Sequence, residues 1–442
     1  MSFKKCFKQT DNWLVMSLML SVFGFLKEIR PSEPFIYEFL IGKWRNITDE
    51  QVNQRVYPVG TYSYLALLII VFLITDLCRY KPLIVVLGAS GIVVWSMLLW
   101  TTNLFELQIL QVFYGAFAAC EVAYFTYIYA KVDKAYYQQV TSHTRAAILG
   151  GRAISGITGQ LLISFHAMDY KQLNYITFGA MVSATVWCLF LPSVQSSIYF
   201  HRDSSSKLTR MKRTKTAFAL MWGHVAQAYS SRYLLRWSIW WALATCGFIQ
   251  VQVYMQPLWA EIVNDSKQPI YNGAVESILT VVGFLGTLAA GVLKVDWKTR
   301  GELALTCCSL LQGFAMLIAS QTGYVVVAYV CYVVFGALYH LTITVASSEI
   351  AKLIKEDSYG VIFGLNTFVG LLFQTALTLV VVTDNMGFAL PPRKQYFVYG
   401  VFHVILGIIY IIIGLICWLA SKRDYRRAST IPDPPSRTVI IY

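Results

Sequence analysis

Apolar residues fall in long runs along this chain, with polar residues gathered between them. Twelve runs can be marked, near 13–26, 61–75, 82–101, 107–130, 146–166, 173–192, 236–258, 274–293, 302–319, 324–346, 360–383 and 397–419. About 20 apolar residues in a helix cross roughly 30 Å of hydrocarbon. A helix also satisfies its own backbone where water is absent. The pattern predicts an all-α membrane protein with twelve transmembrane helices. Some runs are short or interrupted by polar residues, so those helices line something besides lipid. Glu121 lies near the middle of the fourth run, and Arg152 lies on the fifth. A charge at that depth costs several kcal/mol unless it faces a wet cavity or a partner. Opposite signs on adjacent spans predict that Glu121 and Arg152 share one cavity and interact. The plainer alternative is an ion pair that only locks two helices.

Composition agrees with a membrane chain: 57% of residues are hydrophobic and 13% are charged, against about 25% charged in soluble domains. The start, MSFKKCFKQTDNW, places basic residues before the first run, and no small-residue cleavage pattern follows, so that run reads as a span. The nine cysteines are scattered without metal-binding spacing and read as packing residues. No HExxH, GxSxG or P-loop occurs, so neither an enzyme nor a cofactor is indicated. The six histidines are dispersed, and His340 and His403 are candidates for proton relay or for simple packing.

Charge then fixes orientation. Of 36 Lys and Arg, 26 fall at the termini and in the even-to-odd loops, and seven fall in the alternate loops. The positive-inside rule places both termini in the cytoplasm. Two glycosylation sequons, at Asn46 and Asn264, fall in loops the rule calls exterior. This bias accounts for the net charge of +13 without nucleic acid. The basic loop around SSSKLTRMKRTKT is the longest between spans and is a candidate contact for anionic lipid. It divides the chain into a six-helix bundle at 1–200, a cytoplasmic loop at 201–235, a second bundle at 236–420 and a disordered cytoplasmic tail at 421–442. The tail carries Arg426-Arg-Ala-Ser429, a short phosphorylation-like motif.

Two six-helix bundles fit the major facilitator fold, in which halves rock about a midplane site. Asp76, Arg79 and Lys81, in Asp-Leu-Cys-Arg-Tyr-Lys-Pro, resemble that superfamily's cytoplasmic gate motif in degraded form. On the fourth span Gln111, Tyr114, Ala118, Glu121 and Phe125 share one helical face. A polar stripe with aromatics suits an amphipathic heteroaromatic solute, and helix packing is the alternative. Gln250, Gln252, Tyr254 and Gln256 make the seventh span polar and suggest a broken or cavity-lining segment. Asn272 and Glu276 are candidates for an outer gate.

More specific motifs occur in order: Arg30-Pro-Ser-Glu-Pro-Phe35, Thr61-Tyr-Ser-Tyr-Leu65, Phe113-Tyr-Gly115, Glu121-Val-Ala-Tyr124, Trp237-Ser-Ile-Trp-Trp241, Tyr271-Asn-Gly-Ala274, Phe363-Gly-Leu-Asn-Thr-Phe368 and Arg393-Lys-Gln-Tyr396. Together they resemble the reduced folate and thiamine carrier family over residues 20 to 420. The resemblance implies a secondary-active vitamin transporter at the plasma membrane, coupled to a proton or an exchanged anion. The candidate substrate contacts are Glu33, Gln111, Tyr114, Glu121, Arg152, Tyr254, Asn272 and Lys394. Folate carriers resemble one another in arginines where this chain has Glu121 and Gly336. The acid at Glu121 looks like the thiamine branch and favours a thiamine-like cation. Gln111, Gly60 and Arg152 depart from that branch, and Lys394 looks like the folate branch. An anionic folate therefore stays an alternative, as does a non-transporting receptor paralogue.

Overall fold

The computed structural model describes residues 3–45, 47–75, 77–132, 136–194, 210–266, 269–292, 295–354, 359–384 and 387–429. Among them the chain is helical. The first half holds α1 (Phe3–Lys27), α2 (Ile36–Ile41), α3 (Asp49–Gln51), α4 (Tyr57–Thr75), α5 (Lys81–Trp100), α6 (Leu104–Lys131), α7 (Tyr137–Ser164) and α8 (Tyr170–Leu189). Then come α9 (Arg210–Tyr229), α10 (Arg232–Ser266), α11 (Asn272–Val292), α12 (Trp297–Gln321), α13 (Val325–Ala351), α14 (Tyr359–Val381) and α15 (Pro392–Ser429).

Each of the twelve apolar runs falls on one of these helices. Nine helices are long and apolar enough to cross a membrane among the described residues. Trp13–Lys27 is a shorter apolar helix. The other two expected spans, α8 and α10, are helical but do not reach that apolarity, α10 carrying its glutamines and Arg232 and Arg236. Two features differ from expectation outside the spans. The basic central loop contains the helix α9, and α15 runs on to Ser429, well past the expected start of a disordered tail. Residues 430–442 lie outside the described residues, as do Asn46 and Asp76.

Local chemistry sets the helix ends. Asp169 and Gln172 form a reciprocal capping box at the start of α8. Asp296 caps α12; its hydrogen bonds from Thr299 and the Lys298 amide hold its carboxyl below the usual range. At the other polarity, the Arg45 guanidinium donates to the carbonyls of Leu98 (2.7 Å) and Thr101 (2.8 Å) at the end of α5. A cation there complements the helix dipole.

Helices of the first half pack mainly on one another, as do those of the second. The two sets meet chiefly along α7 with α11 and α4 with α14. Small residues make the first seam possible: a Cβ on Gly273 would stand 2.7 Å from the Gly156 carbonyl oxygen. Large apolar side chains such as Leu303, Ile412 and Trp418 are more than half exposed, as expected of surfaces that face hydrocarbon.

Candidate functional site

A cavity of about 540 Å³ opens between α4, α6 and α7 on one side and α10, α13 and α14 on the other. Its walls are aromatic, with Tyr64, Phe72, Phe125, Trp241, Phe363 and Phe368 among them. Trp241 and Phe363 lie with ring centroids 5.0 Å apart and planes inclined at 38°. Two charged side chains reach the wall among the described residues, Glu121 from α6 and Arg145 from α7. Thr126, Thr141, Thr344 and Ser347 also line the cavity.

Glu121 is also one end of a charged network. Its Oε1 accepts from Lys27 Nζ at 2.5 Å, and the same ammonium stands 2.6 Å from Glu28 Oε1. Glu28 Oε2 accepts from Arg30 (2.6 Å) and from Arg152 Nε (2.7 Å). Arg30 also donates to Glu33 Oε1 at 2.8 Å, where the Tyr114 hydroxyl approaches at 3.4 Å. The Phe117 ring lies against both Lys27 (5.9 Å) and Arg30 (5.7 Å). The Lys27 and Glu28 side chains are 2% and 0% exposed, whereas Glu121 is 32% exposed and faces the cavity. Within this network each buried charge has an ionic partner, as burial demands.

Glu121 and Arg152 thus interact within one charged network, as expected, but they do not form the direct pair. Arg152 is held by Glu28, and the partner of Glu121 is Lys27. Lys27 ends α1 and Glu28 follows it, where the first apolar run stops, and their charge reads from the sequence as an ordinary helix-end flank. Only the fold shows that this end is buried beside α6 and α7.

The other expected site residues are spread along the axis. Glu33 and Tyr114 join the charged network, but neither they nor Arg152 line the cavity. Gln111 faces Gly60: a Cβ there would stand 2.5 Å from its Oε1. Tyr254 is buried edge-on to Tyr57, with ring centroids 6.0 Å apart. Lys394 is exposed at the start of α15. The α10 glutamines do not line this cavity, and the helix is unbroken through Pro257. Gln250 is buried, donating to the Tyr399 hydroxyl and accepting from Gln374 and Thr378, so this amide ties helices together. His403 is buried with Nδ1 2.9 Å from the Tyr399 carbonyl. Gly336 packs under Leu279, whose Cδ1 would stand 2.4 Å from an added Cβ.

Toward one end of the molecule, side chains bridge the two sets of helices. Asn272 donates to Glu38 Oε1 at 2.8 Å and accepts from Tyr329 at 2.9 Å. Gln160 accepts from the amide of Gly273, Gln256 donates to the Glu33 carbonyl, and Arg55 pairs with Asp384 at 3.0 Å. The Glu38 carboxyl, on the short α2, has its second oxygen buried without a partner. Burial pushes it up to about 7 against the downward pull of the Asn272 hydrogen bond. Glu276 of α11 accepts from the Tyr332 hydroxyl at 2.9 Å. At the α4–α5 turn Arg79 and Tyr80 take positive φ (57° and 64°), and Lys81 donates to the Leu189 carbonyl that ends α8. Asn264 is exposed in the last turn of α10.

The chain is similar throughout to known membrane carriers. The family model described as reduced folate carrier matches residues 11–398. Thiamine transporter 1 of Mus musculus is 36% identical over 467 residues, covering 95% of this chain and 93% of the relative. Folate transporter 1 of Caenorhabditis elegans is 35% identical over 436 residues, covering 95% and 96%. Among solved structures, the nucleoside transporter NupG superposes with a TM-score of 0.61 at 11% identity, covering 90% of this chain and 98% of that one. The human organic anion transporter MFSD10 gives 0.58 at 11% identity, covering 90% and 99%. At that identity the likeness speaks for the fold, which is that of major facilitator transporters. The relatives are transporters and not enzymes, and this chain, a multi-pass membrane protein, belongs to the reduced folate carrier family.

Proposed function

We propose that this protein is a secondary-active carrier of a heteroaromatic vitamin at the plasma membrane. The observation that carries the reading is the aromatic cavity between the two sets of helices, with the Glu121 carboxylate on its wall. Its volume of about 540 Å³ falls in the usual range for small-molecule sites. Rings of a vitamin stack on Trp241 and Phe363, and Glu121 meets a positive group. The relatives named thiamine transporters and folate transporters support this class of solute. Glu121 favours a thiamine-like cation. Arg145 on the same wall favours the second reading, an anionic folate.

The twelve apolar helices form two six-helix bundles at 1–200 and 236–420, joined through 201–235, with both termini cytoplasmic. Solute moves by alternating access. The bridges at Glu38–Asn272, Gln160–Gly273 and Arg55–Asp384 close the end that the charge rule calls exterior. The cavity sits nearer the end that carries Arg145, so this is an inward-facing arrangement. Arg79 and Lys81 belong to the inner gate, Asn46 and Asn264 are exterior glycan sites, and a proton or an exchanged anion drives the cycle. Glu33, Gln111, Tyr114, Arg152, Tyr254, Asn272 and Lys394 contact solute as the carrier passes through its other states.

Uptake of radiolabelled thiamine and of a reduced folate, in cells with the chain at their surface, tests the reading. Saturable uptake of one of them is expected. Saturable uptake of neither overturns it in favour of the non-transporting paralogue.

A further inference from the structure

We propose that Lys27 sets the charge selectivity of this carrier, as an internal counter-ion for Glu121 that a cationic solute must displace and an anionic one need not. The inference rests on the vitamin-carrier reading above and names the residue that tunes it. Lys27 is reached from the cavity through Glu121, since its own side chain is 2% exposed and that of Glu121 is 32% exposed. Its ammonium bridges Glu121 at 2.5 Å and Glu28 at 2.6 Å. A cation arriving at Glu121 therefore does not orphan a buried charge: the lysine keeps Glu28. An ammonium on a four-carbon stem suits such an exchange better than a guanidinium, which holds a carboxylate with two fixed bonds.

The balance of the whole network supports this. Lys27, Arg30 and Arg152 face Glu28, Glu33 and Glu121, so three bases meet three acids and the cluster is neutral. A solute at the cavity wall thus meets Glu121 already neutralised, with Arg145 on the same wall. Removing the lysine charge leaves one net negative charge facing the cavity. Removing the Glu121 charge leaves one net positive charge. The two substitutions move selectivity in opposite directions, which a packing role for Lys27 does not do.

The test is surface-normalised uptake of thiamine and of a reduced folate by full-length wild type, Lys27→Met and Glu121→Gln. Lys27→Met is expected to raise the thiamine-to-folate ratio by roughly tenfold, the scale of one charge at a partly screened site. Glu121→Gln is expected to lower it. Ratios that stay put, or that shift the same way in both variants, overturn the proposal. If Lys27→Met does not reach the surface, Lys27→Arg decides. Its two-bonded grip on Glu121 is expected to depress thiamine uptake while folate uptake holds, and an unchanged ratio overturns the proposal. Wild type that carries neither solute refutes the vitamin-carrier reading itself, whereas wild-type uptake with unmoved ratios refutes only the role of Lys27.

Discussion

Gln111 and Gly60 occupy one space: the amide oxygen of Gln111 on α6 fills the volume that a side chain on Gly60 of α4 would take. The two departures that looked separate in the sequence are therefore one packing exchange. Gly60→Ala needs only the flexible amide to swing aside, and its cost stays below about 1 kcal/mol. Gly60→Trp needs the whole volume of Gln111 and costs roughly 1–3 kcal/mol by overpacking. Gly60→Trp with Gln111→Ala recovers part of the loss. Thermal unfolding midpoints of the purified variants check the cycle, and additive losses in the double variant contradict a shared space.

Glu28 is the hub of the buried network, holding Lys27, Arg30 and Arg152 at once. Neutralising it strands buried positive charge, which costs about 3–5 kcal/mol. Glu28→Gln is expected to lower the melting midpoint sharply and to reduce the amount of chain at the cell surface. Adding Arg152→Gln should restore part of it, because one stranded base is removed with its partner. Arg152→Gln with Glu121→Gln should show much weaker coupling, since those two are not paired. Fluorescence-detected unfolding in detergent reads all three.

The Glu38–Asn272 bridge is expected to make the stability of the protein depend on pH. The Glu38 carboxyl is raised to about 7 in this arrangement, against about 4.3 for a free glutamate. A raised acid stabilises the folded form at low pH, and that contribution is lost as pH rises through about 7. The melting midpoint is expected to fall as pH rises from about 4.3 to about 7 and to level off above that. Glu38→Gln should flatten that fall. An equal fall in the variant assigns the pH dependence elsewhere.

The helices were legible because lipid imposes a strong rule: every backbone group must be satisfied within a segment, so apolar length reads directly as helix. Each apolar run lies on a helix for that reason. The helix α9 was missed because a basic, Ser-rich stretch reads as a loop, and its helical part is mixed in character. Glu121 was legible because a carboxylate in an apolar run stands out. Its partner was not. Lys27 and Arg152 are both basic and both lie on neighbouring helices, and sequence spacing within one helix says nothing of how two helices rotate against each other. The glutamines of α10 misled for a related reason: amides in a span line a cavity or tie helices, and only packing tells which. Trp241 and Phe363 went unremarked as site residues because aromatics are abundant in the spans, and only the cavity singles them out.

Trp241 and Phe363 carry the stacking half of the account. Trp241→Ala is expected to raise KM for the transported vitamin by about tenfold or more, the loss of one ring contact in a closed site. Surface expression should fall less than uptake. Uptake kinetics normalised to surface protein check this, and an unchanged KM places the solute elsewhere.

On this reading the vitamin occupies the cavity bounded by Glu121, Trp241 and Phe363. The most direct measurement is an electron cryo-microscopy map of the purified protein with its transported vitamin at saturating concentration. Density for the ring system is expected beside Trp241 and Phe363, with a polar group of the solute within hydrogen-bond distance of Glu121. Density for the vitamin away from this cavity, or an empty cavity at saturation, would contradict it.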